Sequence, residues 1–92
     1  MENQKIVDYL LEKKIRPHNY GFRYLYEALD FCSKRNEVPA ITKIVYPFIA
    51  KKLGTTASRV ERAIRHEIEQ RGVTNKEFIA TALIELSRKK SK

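Results

Sequence analysis

The 92-residue chain holds one cysteine, three glycines, three prolines and no tryptophan. A single thiol, Cys32, closes no intramolecular disulfide, which excludes a stapled secreted scaffold. Cys32, His18 and His66 have no zinc-ligand spacing, so a metal-built fold is excluded too. No apolar run approaches the ~20 residues that span a bilayer, and Met1-Glu2-Asn3-Gln4-Lys5 lacks the basic start and apolar core of a signal peptide. The expected setting is the cytoplasm, with no membrane partner. With only two histidines, and no carboxylate pair backed by a base or a metal set, no enzyme and no cofactor are expected.

Acidic residues are also scarce: 11 Asp and Glu against 19 Lys and Arg leave a formal charge of +8. Such an excess on a small domain points to a polyanionic partner, with nucleic acid ahead of an acidic protein or lipid surface. The length allows one domain, residues 1–92, burying roughly 60–70% of the surface of its unfolded chain. That supports one modest core and no deep cleft between lobes.

What is present is helical periodicity: apolar residues recur at three and four rather than at two. The first stripe, over residues 3–14, carries Ile6, Val7, Leu10 and Leu11 inward. Residues 15–21 read as a connector, with Pro17 restricting its predecessor and Gly21 permitting a turn. Residues 22–33 form a second helix with Phe22, Leu25, Leu29 and Cys32 inside and Arg23, Glu27, Asp30 and Lys34 outside. Asn36-Glu37-Val38-Pro39 breaks the pattern, and Ile41-Thr42-Lys43-Ile44-Val45 begins a short apolar helix. Pro47 suits the start of the next helix, which Gly54 ends as a left-handed cap. Thr55 or Thr56 caps a longer helix from Ala57 to about Gln70, with Val60, Ala63, Ile64 and Ile68 on its apolar face. After Gly72, a last helix from Asn75 turns Phe78, Ile79, Ala82, Leu83 and Leu86 inward and gives way to a basic tail at 88–92. The fold class is all-α: a compact bundle of five to six helices containing a helix-turn-helix at about 47–70.

That segment carries the function. In a helix-turn-helix the second helix enters the DNA major groove while the first crosses the backbone. At about 100° per residue, Arg62 lies opposite the centre of the apolar stripe, ringed by Ser58, Arg59, Arg65, His66 and Glu69, with Glu61 at the edge. The arginine fork matches the two major-groove acceptors of guanine, and a carboxylate accepts from the cytosine amino group. Arg59, Glu61 and Arg62 are therefore the candidate base readers. The plainer reading is a solvated face on which Glu61 to Arg65 and Arg65 to Glu69 pair at i,i+4. Thr55, Thr56 and Ser58 stand where a helix N-terminus favours an anion. Lys43, Lys51 and Lys52 extend the basic surface toward the phosphates.

From Ile41-Thr42-Lys43-Ile44-Val45-Tyr46-Pro47 through Thr55-Thr56-Ala57-Ser58-Arg59-Val60-Glu61-Arg62-Ala63-Ile64-Arg65-His66, the sequence resembles the C-terminal DNA-binding domain of the stage zero sporulation protein A family. These are sporulation response regulators of endospore-forming bacteria. His18, Gly21, Tyr24, Leu25, Glu27 and Ala28 fit the family's early helices; Thr74-Asn75 with Glu77-Phe78-Ile79-Ala80 fit its last. The resemblance implies an effector domain that binds a short GC-containing promoter element. By position it makes Arg59, Glu61 and Arg62 the base readers, with Ser58, Arg65 and His66 supporting them or touching phosphate. Two departures stand out. A receiver domain does not fit in 92 residues, whether the chain is a stand-alone relative or a fragment. The segment between recognition helix and last helix is cut to about Arg71-Gly72-Val73, which bears on dimer or RNA polymerase contacts.

The expected partner is double-stranded DNA, with a homodimer on DNA and a related regulator or RNA polymerase as further partners. The alternative is a protein-interaction module that binds or antagonises a related regulator, using Tyr20, Phe22, Tyr24, Tyr26, Tyr46 and Phe48 as a docking surface.

Overall fold

In the computed structural model, the described residues are 3–35 and 40–90, with side chains through residue 88. Among them are five α-helices and no strand. The expected break at 36–39 lies outside the described residues.

Helix α1, Gln4–Glu12, is capped by Asn3, whose side chain accepts from the Lys5 amide. It ends where Lys14 takes a left-handed backbone, φ 65. The inward stripe differs from expectation: Ile6, Tyr9 and Leu10 are buried, whereas Leu11 is 46% exposed. Helix α1 packs against both α2 and α5, and the Tyr9 hydroxyl donates to Glu85 at the far end of the chain. Contact on two sides rotates the buried arc toward Tyr9 and leaves Leu11 outside it.

Helix α2, Tyr20–Arg35, starts earlier than the sequence suggests and includes Gly21. That glycine does not serve a turn. A Cβ there would stand 2.2 Å from Glu67 Cγ and 2.7 Å from the Ala63 carbonyl oxygen, so the lack of a side chain lets α2 lie directly on the backbone of the fourth helix. Phe22, Leu25, Leu29 and Cys32 face inward as expected, joined by Tyr24 and Ala28. Glu27, expected outside, is buried. The third helix crosses above it, and Lys52 reaches its carboxylate at 2.9 Å, with Arg23 at 3.6 Å. Such a carboxylate tolerates burial only because it is paired.

Residues Ile41–Val45 form a single wide turn in which the Ile44 and Val45 amides both reach the Ala40 carbonyl, at 2.9 and 3.3 Å. It runs straight into α3, Tyr46–Leu53, with Pro47 in the first turn, where a missing N–H is tolerated. Gly54 ends α3 in the left-handed region, φ 68. The chain then folds back so that the Thr55 amide bonds the Ala50 carbonyl at 2.9 Å, the wrapped ending that satisfies a terminal carbonyl. Helix α4, Ala57–Ile68, buries Val60, Ile64 and Ile68 completely. One tight turn, Glu69–Arg71, and Gly72 at φ 71 close it.

Helix α5, Asn75–Lys90, begins with a reciprocal cap: Thr74 Oγ1 accepts from the Glu77 amide at 3.1 Å, and Glu77 accepts from the Thr74 amide at 2.9 Å. This is the capping box, legible in the Thr-x-x-Glu spacing. The expected basic tail differs from the structure, because the helix continues through residue 90. Arginine and lysine are good helix formers, and cations suit a helix C-terminus. Ser91 and Lys92 lie outside the described residues.

Helix α2 is the spine, touching α1, α3, α4 and α5, with its most extensive contact on α4. The buried apolar side chains form one cluster, each large one contributing roughly 1.5–3 kcal/mol on leaving water. None of the helices described is long and apolar enough to cross a membrane.

Candidate nucleic-acid interface

Thr56 sets where α4 begins: its hydroxyl accepts from the Arg59 amide at 3.2 Å, satisfying a donor that helix geometry would otherwise leave open. From that start Val60, Ile64 and Ile68 point into the core, so the opposite side must face outward. Ser58, Arg59, Arg62, Arg65, His66 and Glu69 are all exposed there. Arg59 and His66 lean about 60° and 40° to one side of Arg62, Ser58 and Arg65 by similar angles to the other.

Two loose pairs lie along this ridge: Glu61 with Arg65 at 3.6 Å and His66 with Glu69 at 3.8 Å. The surface i,i+4 pair of Glu61 and Arg65 contributes about 0.3–0.5 kcal/mol, and the His66–Glu69 contact is an ion pair only with a protonated imidazole, so both arrangements open readily. Arg59 and Arg62 make no ion pair among the described residues. The plain reading of the face therefore holds for Arg65 in part and leaves the two central arginines free.

Glu61 differs from its neighbours in being half-buried. Beside it Asn75 donates both to its backbone carbonyl, at 3.2 Å, and to the Tyr46 hydroxyl, at 2.8 Å. One amide thus ties α3, α4 and the start of α5 together at the edge of the ridge. Burial raises the Tyr46 phenol above its ordinary pKa, against the lowering effect of the Asn75 bond.

Both flanks of α4 are concave. On one, Arg65, Glu61 and Glu69 share a groove with residues 40–43 and 72–76, which brings Lys43 to the ridge and adds Lys76. On the other, Arg59, Arg62 and His66 share a groove with His18, Asn19, Tyr20 and Gly21. Thr55 and Gly54 continue this second groove past Tyr20 and Tyr24. Lys51 is exposed on α3. Lys52 differs: its ammonium is held by Glu27, which raises its pKa through the hydrogen bond and the opposite charge.

Residues 18–21 and Lys76 were not anticipated as neighbours of the ridge. A glycine inside a helical stretch signals close backbone approach, and Gly21 is that signal, although not for which helix it meets. The aromatics of the alternative docking surface are divided: Tyr20 and Phe48 are exposed and the other four are not. Phe22, Tyr24 and Tyr46 are buried, and the Tyr26 hydroxyl is occupied by the Asn3 amide at 2.6 Å.

A short helix, a left-handed glycine turn and a capped second helix with outward arginines follow one another here, an arrangement compatible with a helix-turn-helix. Residues 6–83 match the family described as the sporulation initiation factor Spo0A C terminal. The chain belongs to this family of DNA-binding effector domains of a sporulation regulator, which agrees with the resemblance in its sequence.

Proposed function

We propose that the domain binds a short GC-containing promoter element in duplex DNA, with α4 in the major groove, and acts there as a transcriptional regulator. The observation that carries this reading is the pair Arg59 and Arg62, exposed and without ion-pair partners among the described residues, on the outward line of a helix whose start is pinned by Gly54 and Thr56. Each guanidinium is available to present its fork to guanine, and Glu61 at the edge accepts from a cytosine amino group. Ser58, Arg65 and His66 support these contacts or meet phosphate. Thr55, Thr56, Lys43 and Lys51 serve the backbone, while Lys52 acts one step removed, by holding Glu27 and with it the seat of α3. Two copies are expected on adjacent half-sites, and ultracentrifugation with and without DNA tests that stoichiometry.

The decisive experiment is selection of bound duplexes from a random pool, followed by titration of the selected site against a scrambled one. The expected result is about 10³-fold or greater preference for the selected site, with affinity falling steeply as salt rises. Equal binding to the two duplexes overturns the reading and moves the protein-interaction module to first place.

A further inference from the structure

The groove between residues 18–21 and α4 has no assigned task, yet its construction is specific. Gly21 is there because any side chain would strike Glu67 and the Ala63 carbonyl. Asn19 donates to Glu67 Oε2 at 2.7 Å, which fixes this corner against α4 and engages the one carboxylate lining the groove. The other side chains on this surface that carry donors are His18, Tyr20, Arg59, Arg62 and His66, the last with Glu69 3.8 Å from it. Tyr20 is 78% exposed, an unusual position for so large a ring. Its only ring contact is a stack on Tyr24 with centroids 6.1 Å apart, and its hydroxyl makes no hydrogen bond among the described residues.

A helix with its side chains is about 10–12 Å across, and the DNA major groove is about 12 Å wide. A helix lying in that groove fills it, so whatever flanks the helix faces a phosphate wall. His18 and Tyr20 flank α4 on the side of Arg59 and His66, held rigidly by the Gly21 and Asn19 contacts. We infer that Tyr20, with His18 beside it, is a second DNA-contacting element, donating its hydroxyl to the phosphodiester backbone along one wall of the groove that α4 occupies. This rests on the proposed seating of α4, and it assigns Tyr20 a positioning contact that carries no base information.

A neutral donor on a phosphate has a distinct signature. Removing it weakens binding without releasing fewer counterions, whereas removing a lysine contact lowers the salt slope by about one. The test titrates the intact protein with the selected duplex and with a scrambled duplex across a salt series, for wild type, Tyr20→Phe and Tyr20→Ala. Tyr20→Phe keeps the ring and its stack, so a folding defect is not expected; an unchanged melting temperature checks this. The expected result is binding about three- to tenfold weaker for Tyr20→Phe on both duplexes, the value of a single hydrogen bond, with the preference ratio and salt slope unchanged. Wild-type affinity in Tyr20→Phe and Tyr20→Ala overturns the inference while leaving α4 in its groove. A lowered preference ratio also overturns it, because Tyr20 would then be reading bases. Failure of the wild type to prefer the selected duplex instead removes the reading on which the inference rests.

Discussion

The inner and outer faces of α4 are built from opposite materials on the same twelve residues. Inside, Val60, Ile64 and Ile68 are fully buried, and the backbone at Ala63 touches Gly21. Outside, Arg59 and Arg62 make no ion pair among the described residues, and the pairs beside them are loose. The inner face sets where the helix is; the outer face is then free to be chosen for what it meets. Substitutions on the two faces should separate stability from binding.

The largest effect belongs to the inner face. Ile64→Ala removes a fully buried side chain at a cost of about 2–5 kcal/mol in urea unfolding, with DNA binding lost only as the folded fraction falls. Gly21→Ala follows, at roughly 1–3 kcal/mol, because the new methyl group meets backbone at Ala63 as well as the movable Glu67 side chain. A stability equal to wild type would show that α2 and α4 are not in fixed contact. On the outer face, Arg62→Ala should leave the urea midpoint unchanged and cost about 1–3 kcal/mol on the selected duplex, with relaxed preference at one base position. Loss of stability in this variant would blur the division between faces.

The lysines of α3 refine it. Lys51→Ala should lower the salt slope of binding by about one with stability intact. Lys52→Ala should act mainly on stability, by about 1 kcal/mol, since it strips a buried carboxylate of its nearest cation. The smallest effect concerns pH. Burial, then the bond to Glu85, raises the Tyr9 phenol, and the bond to Glu27 raises the Lys52 ammonium. In both cases the folded pKa lies above the unfolded one. Their contributions are therefore complete below about pH 10 and vanish as pH climbs through the folded values. Urea midpoints should hold up to about pH 10 and fall as the pH rises further, and Tyr9→Phe should flatten that fall.

The helices themselves were legible because their signals are local. Pro47, Gly54, Thr56 and Gly72 act on the backbone within a turn of themselves, and all four do what their chemistry suggests. The burial of Val60, Ile64 and Ile68 followed from spacing alone. The features that escaped are decided by distant partners. Glu27 is buried because Lys52 arrives from 25 residues away, and Tyr9 displaces Leu11 because Glu85 arrives from 76 away. Gly21 shows the same limit: its freedom of backbone is written in the sequence, whereas its use as empty space depends on Ala63 and Glu67. The arginine ridge lay between these cases. Its angular position is local, but the flanks formed by residues 18–21 and 72–76 exist only after packing.

Cys32 is fully buried in the last turn of α2, and it is the only thiol in the chain. An alkylating reagent reaches it only in molecules that have opened, so its labelling rate is a clock for that opening. Duplex bound on the far face should slow the clock in proportion to the free energy it adds to the closed form, giving a read-out of DNA occupancy from inside the protein without a dye on either partner.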